Sequence, residues 1–424
     1  TNLPAGNLTG TVADARISSL TASKLSGALP AISAANLTSI PAANITGTLP
    51  AISGANLTNL PASGKATNLV INGAMTVQQR MDSTTTGGQN LSGIKTVDRF
   101  SLTFEGTDNS PTQIPVDVAS GTTPYTLGFR RAFKAINGNQ TSGAGASDRI
   151  VMIYRTEAQD MANCGWNYLS ASSYITFSYW VKSSVAQNFY NRFKSADSTS
   201  QAYVTETGSL TADTWTKITK TIPGNSNIVF NNDNGEGLEI TWEIFRGTDA
   251  TGTRPLNAWA AADGTTRTPD QTSTWYTTDD ATFEITGVQL EVGSQATPFE
   301  HRNHADELMN CFRYYQRVCL GSDAAENNAC PIISGAMYGS LFYGVYHLKN
   351  EMRTAPTMEA VNATDYYLVY RGGSYDACDE ISVNNLSKYQ CTIRVHNNLS
   401  GTSGDAGWAR TNNAAAFAAF TAEL

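Results

Sequence analysis

The first 66 residues are repetitive, contain no aromatic residue and carry only four charged side chains. Residues 29–40 (LPAISAANLTSI) match residues 49–60 (LPAISGANLTNL) at nine of twelve positions. Such a segment has too little apolar surface to offset the entropy that is lost when its own backbone becomes ordered. An ordered structure for this segment therefore requires other chains.

Apolar side chains recur regularly in the repeat, and a proline follows four of them directly. Proline fixes φ, lacks an amide donor and holds the preceding residue in an extended conformation, so the prolines oppose a continuous helix. Three extended chains can instead wind together around a shared axis. A disordered linker is the alternative, but a linker has no need of regular apolar spacing. The residues predicted to line the axis are Leu29, Ile32, Leu37, Ile40, Ile45, Leu49, Ile52, Leu57 and Leu60.

The other three quarters of the chain hold the material for compact domains, because all 40 aromatic residues lie at or after Phe100. Only 15% of the residues are charged, against roughly a quarter in ordinary soluble domains. Ser, Thr, Asn and Gly are abundant and favour turns and short strands, so the fold is predicted to be mainly β. The net charge of −8 gives no electrostatic reason to expect nucleic-acid binding.

Alternating apolar and polar residues predict the strands of an antiparallel, jelly-roll-like sandwich. Every second residue is apolar in residues 174–182 and 238–245, as in strands with one buried face. In TFEITGVQLEV the alternation changes phase at Gly287, which predicts a β-bulge there. Strands are also predicted around Asn72-Gly73, a two-residue hairpin signal.

One helix is predicted, from Asn303 to Leu320. Asn303 can cap its N-terminus, and apolar residues follow a 4-3-4 spacing from Leu308 to Cys319. Two heptads are too short for a free-standing coiled coil. We therefore expect the helix to pack on the sandwich of its own chain, with packing against symmetry mates as the alternative.

The predicted organisation is an extended trimeric shaft, a β-sandwich, a connecting helix and a smaller C-terminal β domain. Their bounds are residues 1–66, 67–300, 301–320 and 321–424. The six cysteines follow no zinc-binding spacing, so buried free thiols are expected. A disulfide such as Cys378–Cys391 is the alternative.

Several segments resemble the tail-fibre proteins of bacteriophages. The LPA…ANLT repeats resemble fibre shafts, and NLVINGAMTVQQR with TVDRFSL resembles the opening of a sandwich in fibre and tail-tip proteins. VQLEVGSQATPFEHR and FRYYQ resemble its end and the following helix, while MRTAPTMEA and AAFTAEL resemble tip domains. The resemblance implies a homotrimer whose sandwich is like carbohydrate-binding modules and whose distal end meets the host.

The resemblance also implies partners and a location. The expected partners are a polysaccharide or lipopolysaccharide of the host surface, and other tail or baseplate proteins held through a region before Thr1. The expected location is the virion, assembled in the host cytoplasm and acting outside the cell.

Catalytic motifs are absent from the sequence: it contains no HExxH, GxSxG or Walker pattern. Glycoside hydrolysis needs two carboxyl groups roughly 5–9.5 Å apart, whereas Glu239 and Glu243 are about 13 Å apart along one strand. A non-enzymatic protein without a cofactor is therefore expected. A depolymerase with carboxylates from different strands and a structural calcium at Asp233, Asn234 or Asp249 are the alternatives.

Aromatic residues in polar surroundings are the candidate glycan contacts, because flat rings stack on the C–H faces of sugars. The alternative for each ring is a place in the core or in a trimer interface. If all of these rings are buried, the alternative function is a purely structural fibre or baseplate spacer without a receptor site. The candidate residues are Trp180, Trp259, Trp275, Tyr276, Tyr375 and Trp408.

The shaft prediction has a direct test in solution. Light scattering of the full chain in native buffer is expected to give three times the 45.4 kDa mass of one chain. A monomer mass at micromolar concentration would contradict the predicted trimer.

Overall fold

The structure is a computed structural model that describes residues 68–80 and 88–424. The predicted shaft and all nine of its axis residues lie outside these ranges, so the trimer stays a prediction. In the described part of the chain, no helix is long and apolar enough to cross a membrane.

The sandwich consists of two antiparallel sheets, which confirms the predicted fold class. One sheet has the strand order β1-β4-β9-β6-β7-β10, and the other has the order β2-β3-β11-β5-β8. In chain order the strands are β1 (Ser101–Glu105), β2 (Thr112–Asp117), β3 (Arg131–Ile136), β4 (Arg149–Glu157), β5 (Tyr174–Ser183), β6 (Asn188–Ser195), β7 (Gln201–Ser209), β8 (Thr216–Pro223), β9 (Glu236–Arg246), β10 (Trp259–Ala261) and β11 (Thr282–Val292).

The alternating residues of β5 and β9 build the centre of the sandwich core, as predicted. Phe177 and Tyr179 of β5 and Trp242 of β9 are buried, and each pair of these rings has centroids less than 6 Å apart. Full burial of such a side chain contributes roughly 1.5–3 kcal/mol. The two sheets therefore meet through interlocking large side chains.

The bulge predicted at Gly287 is present. The register between β11 and β5 shifts between Thr286 and Gln289. Gly287 has φ of +60°, and a Cβ atom there would lie 2.6 Å from the ring of Phe129. Only glycine fits this position without strain. The bulge lets residues on both sides of the phase change face the core.

The prediction of strands around Asn72-Gly73 was wrong, although the predicted turn is present. Asn72 has φ of +63°, but residues 68–80 form no strand. Their backbone instead bonds to β11: Leu69 N–H donates to the Leu290 carbonyl oxygen, and Val288 N–H donates to the Gly73 carbonyl oxygen. A distant strand has replaced the local hairpin partner.

The predicted helix was also too long. The short helices are α1 (Thr123–Thr126), α2 (Ala158–Asn163), α3 (Thr274–Thr277) and α4 (His304–Cys311). The side chain of Asn303 caps α4 by accepting from the Asp306 amide at 2.9 Å, as predicted. Residues Tyr315–Leu320 form a strand instead of helix, because they pair with a strand from the end of the chain.

The C-terminal domain has two further antiparallel sheets. A three-stranded sheet has the order β12-β21-β15, and a seven-stranded sheet has the order β17-β16-β20-β13-β14-β19-β18. The strands are β12 (Tyr315–Leu320), β13 (Pro331–Tyr338), β14 (Leu341–His347), β15 (Thr357–Val361), β16 (Tyr367–Arg371), β17 (Ser374–Cys378), β18 (Glu380–Asn384), β19 (Gln390–His396), β20 (Ala406–Thr411) and β21 (Phe417–Thr421).

All six cysteines are free in this structure. Cys319, Cys378 and Cys391 are buried in the core of the C-terminal domain. Burial raises the pKa of the Cys378 and Cys391 thiols to about 12. These thiols behave as small apolar side chains at neutral pH.

Buried charges join the sandwich to the C-terminal domain. Glu157 of β4 accepts hydrogen bonds from Arg313 at 2.5 and 2.7 Å and from the Tyr314 hydroxyl at 2.6 Å. Burial by itself raises the pKa of this carboxyl group, but Arg313 and Tyr314 outweigh burial and hold the pKa below its usual value. The carboxylate is therefore stabilised in its charged form.

Glu423 forms the second half of this connection. Its carboxylate pairs with Arg99 at 2.5 Å and with Arg80 at 3.0 Å. The Arg99 guanidinium also lies 3.4 Å from the centroid of the Tyr314 ring. We call these residues the joint: Arg80, Arg99, Glu157, Arg313, Tyr314 and Glu423.

Replacement of Glu157 by Gln is expected to lower the free energy of unfolding by about 3 kcal/mol, because the Arg313 charge loses its buried partner. The pKa of Glu157 in the folded protein lies below 4.5, the ordinary value for a glutamate side chain. Its stabilising effect is therefore complete above about pH 4.5 and is lost as the pH falls through the folded-state pKa. Urea denaturation at a series of pH values measures both effects.

The matched control is Asp117→Asn, which removes a carboxylate from an exposed pair with Arg131. This change is expected to cost less than about 1 kcal/mol. Equal stability of Glu157→Gln and the unmodified protein at pH 7 would contradict the importance of the joint. A difference that does not narrow in acid would contradict the role of the charge.

Candidate functional site

The seven-stranded sheet has one face on the core and an outer face that carries exposed apolar side chains. Residues alternate between the two faces, so the outer face is defined by the strand register. Four large apolar side chains on it have exposed fractions of 73% (Tyr338), 66% (Tyr375), 59% (Val345) and 39% (Trp408). Contiguous exposed apolar surface of this kind marks an interaction site.

Three rings lie side by side on this face. Cross-strand pairing places Tyr375 of β17 opposite Tyr370 of β16, and Tyr370 opposite Trp408 of β20. The rings of Trp408 and Tyr370 have centroids 4.9 Å apart and an interplanar angle of 11°. The ring of Tyr375 lies 5.8 Å from that of Tyr370 at 53°. We call Tyr375, Tyr370 and Trp408 the aromatic row.

The stacking covers one face of the Trp408 indole, and the residue still has an exposed fraction of 39%. The next residue in line is Ser334 of β13, which is exposed and too short to cover a ring. The neighbouring cross-strand pair, Ala336 and Ala406, is small as well. A flat, partly apolar ring of another molecule can stack on the indole there, with the Ser334 hydroxyl available for a hydrogen bond.

A tight hairpin brings Tyr375 opposite Tyr370. Gly372 and Gly373 have φ of +54° and +80°, as a two-residue type I′ hairpin turn requires. Asp376 anchors the hairpin by accepting from Arg371 at 3.2 Å. The row is therefore held on strands rather than on a loop.

Two further features shape the ends of the row. Asp376 also accepts a backbone hydrogen bond from Ser400 at 2.8 Å, which ties the hairpin to the loop that follows β19. The guanidinium of Arg410 lies 5.6 Å from the Tyr370 ring centroid. On β13 and β14, the rings of Tyr338 and Tyr343 lie 6.3 Å apart and extend the aromatic surface.

Two of the six predicted contact residues, Tyr375 and Trp408, thus meet in one site. Trp275 and Tyr276 do not belong to any surface, and their prediction as glycan contacts was wrong. Both are at most 1% exposed, because α3 folds them into the sandwich core. Tyr276 stacks on Phe245 and donates to the Asp148 carboxylate at 2.8 Å, while the Trp275 indole donates to the Thr282 carbonyl oxygen.

Trp180 and Trp259 are half-buried and lie far from the aromatic row in the fold. Trp180 is on the outer face of the five-stranded sheet, where it packs against Phe129 and its neighbours. Trp259 closes the edge of the sandwich: its ring lies 5.3 Å from that of Tyr203, and its indole donates to the Pro223 carbonyl oxygen at 2.7 Å. Both rings have structural partners.

The residues weighed for calcium are separated in the fold. Asp233 and Asn234 precede β9, whereas Asp249 follows its other end. The Asp233 carboxylate accepts from the Gly235 amide at 2.8 Å. Over residues 68–80 and 88–424, no group of three or more His, Cys, Asp or Glu side chains is arranged to hold a metal ion.

Sequence reasoning missed Tyr370, Tyr338 and Tyr343. A local signal existed for Tyr370, since a two-residue turn at Gly372-Gly373 places it opposite Tyr375. No local signal pairs Tyr370 with Trp408, because β16 and β20 are separated by three strands in the chain.

Comparison with known proteins gives no family model and no curated protein that matches the chain. Solved structures are similar at low levels. The enzymatically active domain of bacteriophage CBA120 tailspike protein 4 has 10% identity and a TM-score of 0.29 over 53% of this chain. The matched part spans only 21% of that tailspike chain.

Two carbohydrate-binding structures are similar over about half of this chain. The N-terminal cellulose-binding domain of Cellulomonas fimi β-1,4-glucanase C has 10% identity and a TM-score of 0.24, over 50% of this chain and 95% of that one. A family 11 carbohydrate-binding module from Clostridium thermocellum has 11% identity and a TM-score of 0.22, over 49% and 96%.

Denaturation experiments distinguish the exposed rings from the buried ones. Trp408→Ala is expected to change the free energy of unfolding by less than about 1 kcal/mol, because its ring is partly solvated. Trp275→Ala is expected to lower it by about 3–5 kcal/mol through loss of packing in the core. Urea denaturation measures both losses of stability. A larger loss in Trp408→Ala than in Trp275→Ala would contradict the assignment of Trp275 to the core.

Proposed function

We propose that this chain is a tail-fibre protein of a phage or a phage-derived particle, which binds a glycan on the host cell surface without cleaving it. The family-like segments of the sequence support the fibre assignment. The single observation that carries the binding role is the exposed Trp408 indole, which stacks on Tyr370 and lies beside the short side chain of Ser334. The protein would act in the virion, outside the host cell.

The aromatic row offers contacts that suit a sugar ring. The C–H face of a pyranose can stack on the exposed indole, while its hydroxyl groups bond to Ser334 or to water. Trp and Tyr side chains supply large contact areas at a low cost in conformational entropy, since each has only two rotatable side-chain bonds. The Tyr370 ring supports the indole by stacking on one of its faces.

Weak single sites suffice if the chain is a homotrimer. Three aromatic rows on one fibre, and several fibres on one particle, raise the avidity by orders of magnitude over a single site. The shaft, as predicted from its repeats, would hold the three rows at a distance from the particle. Other tail or baseplate proteins would bind at the opposite end.

Binding without cleavage fits the residues of the row. Glycoside hydrolysis requires two carboxyl groups on either side of the scissile bond. The row and its neighbours Ser334, Ala336 and Ala406 consist of rings, a hydroxyl and methyl groups. Incubation with a bound polysaccharide is therefore expected to leave its viscosity unchanged.

The rival function is a structural spacer, and one observation favours it. Tyr338 and Val345 extend the apolar surface beyond the row, so the face also suits contact with a second copy of the chain. In that case the row would be buried between protomers, and its loss would change the mass of the assembly.

Binding is tested with the full chain on an array of purified bacterial capsular polysaccharides and lipopolysaccharides. Trp408→Ala is expected to weaken binding of the recognised polysaccharide at least tenfold, because the stacking surface is lost. Tyr389→Ala is the matched control: this ring is 57% exposed in the same domain but lies in the turn before β19, outside the row.

Light scattering of the same variants separates the two functions. Unchanged mass with lost binding supports the glycan site. A changed mass in Trp408→Ala supports the spacer, and equal binding by Trp408→Ala and the unmodified protein removes the row from recognition.

A further inference from the structure

A charged cleft lies on the outer face of the six-stranded sheet of the sandwich, away from the aromatic row. Side chains of β1, β4 and β9 line it, together with Arg267 from the loop after β10. The cleft has a volume of about 220 Å³. Its floor includes Val151, Ile153 and two threonines, Thr103 and Thr241.

Arginine dominates the charge of this cleft. Four guanidinium groups line it, those of Arg149, Arg155, Arg246 and Arg267, against one carboxylate, Glu239. An adjoining cleft shares three of these arginines but also contains three carboxylates, those of Glu105, Asp148 and Asp249. The excess of positive charge is therefore confined to the first cleft.

Three of the four arginines already have carboxylate partners. Arg155 bonds to Glu239 at 2.7 Å. Arg246 bonds to Glu243, beneath the cleft, at 2.7 Å, and Arg149 bonds to Glu105, at its edge, at 2.8 Å. These pairs fix three of the four arginines in the walls of the cleft. The fourth arginine is Arg267.

Arg267 has no carboxylate partner among residues 68–80 and 88–424. The one hydrogen bond of its side chain runs from Nε to the Gly264 carbonyl oxygen, at 3.4 Å. Burial lowers the pKa of Arg267 and the positive charges of Arg246 and Arg192 lower it further, whereas the carboxylates of Glu243 and Glu239 raise it. The net effect is a lowered pKa, so an anion in the cleft would stabilise the charged guanidinium.

The backbone holds Arg267 in place over the cleft. Its amide donates to the Ala250 carbonyl oxygen at 2.8 Å, and Gly252 N–H donates to the Thr268 carbonyl oxygen at 3.1 Å. Thr251 Oγ1 donates to Asp270 at 2.8 Å. The backbone that carries Arg267 is therefore fixed before any ligand arrives, which lowers the entropy cost of binding.

We propose that this cleft binds one carboxylate-bearing sugar unit of an acidic polysaccharide, with Arg267 as the partner of the carboxylate. A guanidinium matches a carboxylate with two parallel hydrogen bonds. Thr103 and Ile153 of the floor are only partly buried, so Thr103 suits a sugar hydroxyl and Ile153 suits the C–H face of the ring. This site lies on a different domain from the aromatic row and does not depend on the proposed function of that row.

The probes are trigalacturonate, triglucuronate and the methyl ester of trigalacturonate, which keeps the same backbone but has no charge. Calorimetric titration of the full chain is expected to detect binding of at least one acidic trisaccharide, with a weaker affinity as the salt concentration rises. The methyl ester is expected to bind at least tenfold more weakly. A sulfated trisaccharide of similar size distinguishes a carboxylate site from a general anion site.

Arg267→Gln is expected to weaken binding of the acidic trisaccharide at least tenfold. Arg267→Lys keeps the charge but cannot form two parallel hydrogen bonds to a carboxylate. Its affinity for the acidic trisaccharide is expected to lie between those of Arg267→Gln and the unmodified protein. Arg130→Gln is the matched control, since Arg130 is exposed and outside the cleft. Circular dichroism verifies that each variant is folded.

Three outcomes would overturn the proposal: no binding of either acidic trisaccharide at 10 mM, equal binding of the methyl ester, or unchanged binding in Arg267→Gln. Tighter binding of the sulfated probe would also overturn it in favour of a sulfate site. Trp408→Ala is expected to bind the acidic trisaccharide normally, so failure of this site and failure of the aromatic row are measured independently.

Discussion

The buried pairing of Glu157 with Arg313 and of Glu423 with Arg99 is the interaction on which the rest of the described structure depends. An arginine buried without a partner costs several kcal/mol, so neither domain can separate from the other without exposing or orphaning a charge. The ring of Tyr314 adds contacts to both carboxylate pairs, since its hydroxyl bonds to Glu157 and its face covers Arg99. The sandwich and the C-terminal domain are thereby held in one arrangement.

The joint also explains where the family-like residues of the sequence lie. TVDRFSL contributes Arg99, and FRYYQ contributes Arg313 and Tyr314. These segments lie far apart along the chain, but the fold gathers them at one place. Arg99, Arg313 and Tyr314 connect the two domains, whereas the aromatic row and the charged cleft are built from other segments of the chain.

Local patterns predicted the parts of the fold that depend on local sequence. The alternation in β5 and β9 and the phase change at Gly287 need only the two-residue period of a strand. The end of the predicted helix needed more, because Tyr315–Leu320 suits a helix by its apolar spacing and becomes a strand through pairing with β21. Whether this segment becomes a helix or a strand is decided by a partner strand about a hundred residues away in the chain.

The same limit applies to the candidate sites. Trp275 and Tyr276 stand in a polar segment and look exposed, but the single turn of α3 turns both rings into the core. Trp408 was predicted as a contact, but its stacking on Tyr370 depends on a strand order that no local spacing reveals. The charged cleft is harder still to predict from the sequence, because its arginines come together only when the fold brings β4, β9 and the loop after β10 side by side.

The long reach of the joint has a consequence for how the chain acquires its structure. The strands of the sandwich are complete at Val292, yet Arg99 is separated from Glu423 by 324 residues. A chain made from its N-terminus therefore holds a sandwich whose Arg99 lacks its carboxylate partner until Glu423 has been added, and non-local pairing of this kind is slow. Synthesis that stops before Glu423 thus leaves the sandwich without one of its ion pairs, as well as leaving the C-terminal domain unfinished.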